Sequence, residues 1–287
     1  MSSIRTATLL MHCPDQPGLI ASVTDFLSSY GANIIDLEQH VDRAEGVFFM
    51  RVNWELEGFS MSADALNEAF EQRLANRFGM VWQLHYDPRP QRMALFVSKI
   101  SHCLYDLLAR WQAGEWRVDI PLVISNHDTL RPVVEQFGLP YYHFPITPEN
   151  KVDQEAKELA LLEEHEVDFV VLARYMQVVS PQLIETYPHR IINIHHSSLP
   201  AFAGAKPYHA AHARGVKTIG ATCHYVTESL DAGPIIEQDV ARISHRDSVE
   251  ELVRKGQDLE KVILARGILA HLRHKTLVYQ NRTIVFS

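Results

Sequence analysis

The sequence is poor in cysteine. Only three occur in 287 residues, Cys13, Cys103 and Cys223, and no two lie close together. Zinc ribbons and redox motifs need closely spaced pairs, and a secreted disulfide framework needs an even, denser set. We therefore expect free thiols, no structural metal and a cytoplasmic location.

Excess positive charge, phosphate-binding loops and long apolar runs are also missing. Lys and Arg number 27 against 35 Asp and Glu, a net charge of -8, which argues against nucleic-acid partners because these need clustered positive charge. No Gly-x-Gly-x-x-Gly or Walker loop occurs. The apolar stretch before Asp15 is only a few residues long, so neither a signal peptide nor a membrane span is expected.

The composition that remains is that of an ordinary folded protein, with 46% hydrophobic and 22% charged residues. Its length suits two domains. Residues 1–86 show apolar alternation and helical spacing in the order βαββαβ, which predicts a ferredoxin-like domain of four strands backed by two helices. Its second helix is expected to end at Gly79. The proline-rich stretch from Asp87 to Pro90 predicts a linker at residues 87–92.

From residue 93 to 287 the pattern changes to short β-branched runs separated by amphipathic stretches. This predicts a Rossmann-like, mostly parallel sheet with helices between its strands. Predicted strands cover residues 94–97, 121–124, 169–172, 191–194 and 220–226; predicted helices cover residues 104–111, 153–163, 181–187 and 248–271, and a hairpin covers residues 276–286.

A dense polar cluster follows the strand at 191–194. Asn193 and His195 are two residues apart, so both side chains should face the same side of the sheet. They lie near a strand's carboxyl end, where α/β proteins bind ligands. An amide and an imidazole together can donate hydrogen bonds to an oxyanion, and histidine carries protons near neutral pH. A carboxylate such as Asp231 would orient the imidazole, but sequence alone does not place it there.

The neighbouring histidines give a weaker signal. His196, next to His195, should point to the opposite face of a regular strand. His209 and His212 are three residues apart without acidic or thiolate partners, which is a poor metal-ligand set. We predict no metal site and assign no role to His196.

The segment Asn193–Pro200, together with Leu230–Pro234, resembles the paired signature of the folate-dependent formyltransferase superfamily. The resemblance implies that Asn193, His195 and Asp231 act together on a formyl carbonyl. It also implies that a nearby segment lines the pterin pocket, namely Met176, Gln177, Val178 and Val179.

Three further segments, residues 97–108, 175–180 and 204–209, resemble the formyltetrahydrofolate deformylases within that superfamily. The resemblance implies an enzyme that hydrolyses 10-formyltetrahydrofolate to formate and tetrahydrofolate without a cofactor, and so supplies formate for purine synthesis. Lys206, in the third segment, is either a surface charge or a residue near the cleft.

Two alternatives stay open. One is formyl transfer to an amine. The turn after the first strand of this domain, residues 97–101, has no glycine, so its backbone cannot approach a substrate phosphate closely. This absence favours water as the acceptor of the formyl group. The other is a catalytically dead amino-acid sensor.

The N-terminal domain resembles the ACT domain through residues 13–20 and 30–34. This implies binding of a small amino acid, with methionine and glycine as the usual candidates, and association into a homo-oligomer. The candidate effector-binding residues are Asp15, Gly18, Asn33 and Ile34.

Overall fold

The structure is a computed structural model that describes residues 5–86, 89–200 and 207–287. Its contacts divide the chain into two compact units. The N-terminal unit comprises Met1–Arg89, His274–Leu277 and Ile284–Ser287, and the C-terminal unit comprises Pro90–Arg273 and Val278–Thr283. Within the described ranges, no helix combines the length and apolar character needed to cross a membrane.

The N-terminal unit has the predicted βαββαβ order. Its elements are β1 (Thr6–Pro14), α1 (Leu19–Ser29), β2 (Asn33–Asp42), β3 (Val47–Glu55), α2 (Ala63–Phe70), a π-helical segment (Glu71–Ala75), α3 (Asn76–Phe78) and β4 (Val81–Tyr86). The antiparallel sheet has the order β2-β3-β1-β4. The ferredoxin-like prediction is therefore confirmed. The last helical turn ends at Gly79, whose φ of 64° is a left-handed conformation that glycine adopts without strain.

The C-terminal unit alternates strands and helices. Its elements are β5 (Gln91–Val97), α4 (His102–Gln112), β6 (Val118–Asp119), β7 (Val123–Ser125), α5 (Arg131–Gln136), β8 (Tyr141–His143), α6 (Lys151–Glu164), β9 (Phe169–Leu172), α7 (Pro181–Thr186), β10 (Ile191–His195), α8 (Pro207–Arg214), β11 (Thr218–Tyr225), β12 (Ile235–Arg242) and α9 (Val249–Leu272). The chain continues into β13 (Thr276–Tyr279) and β14 (Arg282–Val285).

The large sheet has the order β12-β11-β10-β9-β5-β7-β8, with β6 beside β5. Strands from β10 to β8 run parallel, whereas β11 and β12 are antiparallel to their neighbours. This confirms the mostly parallel prediction. Buried apolar clusters cover both faces of the sheet, as expected for parallel strands with helices on each side.

Two boundaries differ from the sequence-based ones. The predicted linker at residues 87–92 overlaps β5, because Gln91 and Arg92 pair with β6; residues 87–88 lie outside the described ranges. The sequence pattern places the chain after α9 in the second domain, yet its outer segments belong to the N-terminal unit, where the Arg51 Nε donates to the carbonyl of His274 at 2.9 Å. Both differences arise from long-range pairing, which local patterns do not report.

Candidate active site

The end of β10 carries the two side chains predicted to act together. Asn193 is half-buried and His195 is 6% exposed. Both line one cavity of about 370 Å³ at the carboxyl ends of β9 and β10. Their common orientation follows from the two-residue repeat of the strand.

Asp231 completes this group although it is 36 residues from His195 in the sequence. Its Oδ2 lies 3.2 Å from Nδ1 of His195. Hydrogen bonding to His195 lowers the pKa of Asp231 below its ordinary value, and this outweighs the opposite effect of burial. The carboxylate is therefore charged at neutral pH, and it holds the imidazole by one nitrogen.

The other nitrogen of His195 faces the reacting side. Nε2 is buried and has no hydrogen-bond partner within the described part of the chain. Buried polar atoms are almost always paired, so a lone ring nitrogen on the wall of a cavity is what a proton-transfer group awaiting its substrate would show.

The loop that carries Asp231 needs a glycine two residues further on. A Cβ added to Gly233 would lie 1.8 Å from the backbone oxygen of Tyr225. The amide of Tyr225 in turn donates to the carbonyl of Pro234 at 2.9 Å. This close backbone approach fixes the loop against the end of β11 and explains the glycine of the Leu-Asp-Ala-Gly-Pro motif.

His224 is a residue of the site that the sequence analysis missed. It lies opposite Asn193 in the β10–β11 pair. Its Nδ1 is 2.9 Å from the carbonyl of Tyr225 and its Nε2 is 3.2 Å from Nδ2 of Asn193. A ring that donates through Nδ1 accepts at Nε2, so the Asn193 amide donates to it and is held in one orientation. Burial lowers the pKa of His224, which favours this neutral form.

A sequence signal for His224 existed. It is a histidine within the mostly apolar predicted strand at 220–226. Its significance depends on the antiparallel pairing of β11 with β10, which the expectation of parallel neighbours did not include.

His196 lines the same cavity as His195, contrary to the expectation that it faces the other way. The reason is that β10 ends at His195, so strand alternation no longer applies. The two rings are 5.1 Å apart. Burial, with a further effect from Arg174, lowers the pKa of His196 to about 4, and its ring is neutral at physiological pH.

The predicted pterin-binding segment forms part of the wall of this cavity. Met176, Gln177, Val178 and Val179 all line it. The backbone is anchored, since the Met176 amide donates to Oγ of Ser98 at 3.0 Å. Met176 and Val178 nevertheless remain 54% and 56% exposed. The structure thus brings an exposed apolar surface next to the polar group; its role in binding stays a prediction.

The four predicted effector residues are not brought together within one chain. Asp15 and Gly18 follow β1, near Gly46, at the Val47 end of β3. Asn33 and Ile34 begin β2 at the Glu55 end. Nine residues of β3 separate the two ends, roughly 25 Å at the rise of an extended strand. Lys206 lies outside the described residues.

One polar cluster in the C-terminal unit has the composition of a metal site. The ligand atoms of His102, Cys103 and Glu260 all lie within 4.8 Å of one another. The Glu260 carboxylate, however, already faces His102 and Tyr208 at 2.7 Å each, and burial raises the pKa of the Cys103 thiol well above its ordinary value. A protonated thiol and an occupied carboxylate are poor ligands, so this cluster is better described as a hydrogen-bonded ion network.

The fold and site define an α/β enzyme of the formyl transferase class joined to an ACT domain. The Formyl transferase family model matches residues 91–268 and the ACT domain model matches residues 7–75.

Similarity to individual proteins identifies the family within this class. The chain is 53% identical to a formyltetrahydrofolate deformylase of Synechocystis over 98% of this chain and 99% of that one. The crystal structure of a formyltetrahydrofolate deformylase from Pseudomonas syringae superposes with a TM-score of 0.95 at 50% identity, covering 100% of this chain and 96% of that one. Glycinamide ribonucleotide transformylase 1 from Symbiobacterium toebii gives a TM-score of 0.66 at 28% identity, over 71% of this chain and 98% of that one. The chain belongs to the formyltetrahydrofolate deformylase family, which confirms the resemblance found in its motifs.

Proposed function

We propose that this chain hydrolyses 10-formyltetrahydrofolate to formate and tetrahydrofolate, with Asn193, His195 and Asp231 as its catalytic residues. The observation that carries the proposal is the buried Nε2 of His195, which has no hydrogen-bond partner among the described residues and lies in the cavity of the Asn193 amide, where part of the wall is apolar. A flat pterin suits the apolar wall, and a formyl carbonyl suits the polar one.

The reaction begins with the formyl oxygen against the amide of Asn193. Nε2 of His195 takes a proton from a water molecule as its oxygen bonds to the formyl carbon. The carbonyl electron pair moves to the formyl oxygen, and Asn193 stabilises the resulting oxyanion. The Asp231 carboxylate, 3.2 Å from Nδ1, balances the charge that the imidazolium gains.

Collapse of the tetrahedral intermediate completes the reaction. The oxyanion reforms a carbonyl, the carbon–nitrogen bond breaks, and the imidazolium returns its proton to the leaving folate nitrogen. The products are formic acid, which ionises to formate, and tetrahydrofolate. Every proton step uses one histidine, so no metal or organic cofactor is required.

The first test is turnover without any amine. The purified chain, incubated with 10-formyltetrahydrofolate in buffer free of amines, is expected to release formate and tetrahydrofolate in equal amounts. Formate that appears only after an amine is added would favour formyl transfer instead. Amino-acid binding measured by calorimetry, with neither folate binding nor turnover, would favour a dead sensor.

The N-terminal unit supports a regulatory proposal. We propose that it binds a small amino acid such as methionine or glycine, and that the chain forms a homo-oligomer. The support is the ACT family match together with the separation of the four candidate residues onto two ends of the sheet. A second copy could supply the missing end, so that Asp15 and Gly18 of one chain meet Asn33 and Ile34 of another.

Calorimetric titration of the full chain tests the effector. Heat is expected with methionine or glycine, and Asp15→Ala and Asn33→Ala should each remove it, because each removes a polar contact from a different end. Sedimentation of the same variants reports whether assembly persists. Absence of heat with both amino acids in the unaltered chain would contradict the proposal.

The cellular setting follows from the proposed reaction. We propose a cytoplasmic enzyme, supported by three free and buried thiols, whose released formate supplies purine synthesis.

A further inference from the structure

A buried carboxylate lies beside the candidate active site and takes no part in the mechanism above. Glu260, on α9, is 1% exposed. Its Oε1 accepts from the Tyr208 hydroxyl and its Oε2 faces Nε2 of His102, each at 2.7 Å. Nε of Arg174 lies 3.5 Å from the same Oε2. A carboxylate this deeply buried persists only when it is paired.

The donors to Glu260 come from the edge of the sheet where ligands bind. His102 begins the helix after β5, Arg174 follows β9, and Tyr208 lies in the helix after β10. Of these, Arg174 also lines the cavity that holds His195 and His196. The ring of His196 lies 6.0 Å from that of Tyr208 and 5.1 Å from that of His195. Arg174 is therefore the member of this network that forms part of the wall of the reaction cavity.

The backbone of Arg174 is in an unusual conformation. Its φ is 62°, in the left-handed region that glycine occupies freely and that side-chain-bearing residues enter at a cost. Its side chain is nonetheless long, charged and only 10% exposed. Nε makes no hydrogen bond to any residue that the structure describes. A strained position that holds a buried cation against a cavity suggests a functional rather than a packing role.

Arg174 is not fully neutralised by its partner on the cavity side. At His196, next to the catalytic histidine, the effect of Arg174 exceeds the opposing effect of Glu260. Arg174 therefore makes a positive contribution to the electrostatic potential beside His196, while the Asp231 carboxylate, which lines the same cavity, makes a negative one.

We propose that Arg174, held by Glu260, is the specificity-determining residue that makes water rather than an amine accept the formyl group. The inference rests on the proposed hydrolysis. The fold alone does not choose the acceptor, since the glycinamide ribonucleotide transformylase from Symbiobacterium toebii shares it.

The selection works through charge. An amine with the pKa of an α-amino group, roughly 8, is mostly a cation at pH 7. It must enter the space beside His195 before it can lose its proton and attack. A guanidinium that lines the same cavity repels the cation, whereas a neutral water molecule is not repelled. At an effective dielectric constant of about 20, such a repulsion excludes the cation by about tenfold or more.

The test is the partition of the formyl group between water and added amines. Glycinamide serves as the cationic acceptor and hydroxylamine, which is smaller, as a neutral one. Formate and the formylated amine are quantified by mass spectrometry for the unaltered chain, Arg174→Gly, Arg174→Lys and the double variant Arg174→Gly/Glu260→Gln. Glycine relieves the backbone strain at 174, and the double variant avoids an unpaired buried carboxylate if the single one fails to fold.

Arg174→Gly, or the double variant, should raise the ratio of formylglycinamide to formate by about tenfold, the factor expected for loss of one nearby charge. Arg174→Lys keeps the charge and should stay close to the unaltered ratio. Partition to hydroxylamine should change little in all variants. An unchanged glycinamide ratio without Arg174, or an equal rise in Arg174→Lys, would overturn the inference. Failure of the unaltered chain to release formate would instead contradict the proposed hydrolysis.

Discussion

Replacing His195 by alanine or Asp231 by asparagine is expected to lower kcat for formate release by about 10³-fold, the range seen when a general acid–base group or its orienting carboxylate is lost. His195→Ala removes the only proton carrier in the proposed mechanism. Asp231→Asn leaves the ring in place, but it removes the charge that balances the imidazolium at 3.2 Å. KM should change less than kcat, because neither residue belongs to the apolar wall.

Matched controls separate chemistry from folding. His245 is exposed and lies outside the cavity, and Asp258 is exposed on α9, so His245→Ala and Asp258→Asn make the same chemical changes elsewhere. Both should retain full turnover. Circular dichroism and thermal melting should show all four variants folded. Turnover within tenfold of the unaltered chain in a folded His195→Ala variant would remove His195 from the mechanism.

Glu158→Gln is expected to stabilise the protein, by an amount that depends on pH. Glu158 is 1% exposed and lies beside Glu155 on α6, with the hydroxyl of Tyr175 at 3.4 Å. Burial, reinforced by the negative charge of Glu155, raises the pKa of Glu158 to about 8. The folded protein therefore keeps a proton on Glu158 at neutral pH, while the unfolded chain releases it.

The direction of the effect follows from this difference. A carboxyl whose pKa is raised on folding contributes most stability below its unfolded pKa of about 4.5, and that contribution is lost as the pH rises to about 8. Glutamine mimics the protonated carboxyl and does not titrate. At pH 7 the free energy of unfolding of the variant should be on the order of 3 kcal/mol higher than that of the unaltered chain. The two should converge near pH 4.

Urea unfolding at a series of pH values from 4 to 9 measures this difference. Glu164→Gln, an exposed carboxylate on the same helix, is the control and should leave the pH dependence unchanged. Parallel stability curves for Glu158→Gln and the unaltered chain would mean that Glu158 ionises normally in the folded protein.

Local regularities in the sequence predicted much of the fold. Strand alternation predicted the four strands of the N-terminal sheet, and helical spacing ending at a glycine predicted the turn at Gly79. The strands β6, β8 and β12 were not predicted. The first two have only two and three residues, and such short strands have no periodicity of their own. They exist through pairing with neighbouring strands, as the pairing of β6 with Gln91 and Arg92 shows.

In the candidate site, too, the sequence determined some features and the tertiary structure determined others. Asn193 and His195 share a face because of the two-residue period of a strand, a local property that the sequence by itself determined. The motifs of the chain likewise determined its family, and with it the choice of Asp231. Only the tertiary structure placed Asp231 against His195, across 36 residues, since that requires the antiparallel β11 and the tight approach at Gly233.

His224 and Arg174 belong to the part that only the tertiary structure decided. His224 contacts Asn193 because of the register between β10 and β11. Arg174 is positioned by a left-handed backbone and by the carboxylate of Glu260, 86 residues away. Local patterns report which face a side chain takes within its own element. They do not report which distant element it meets, because that is set by the packing of the whole domain.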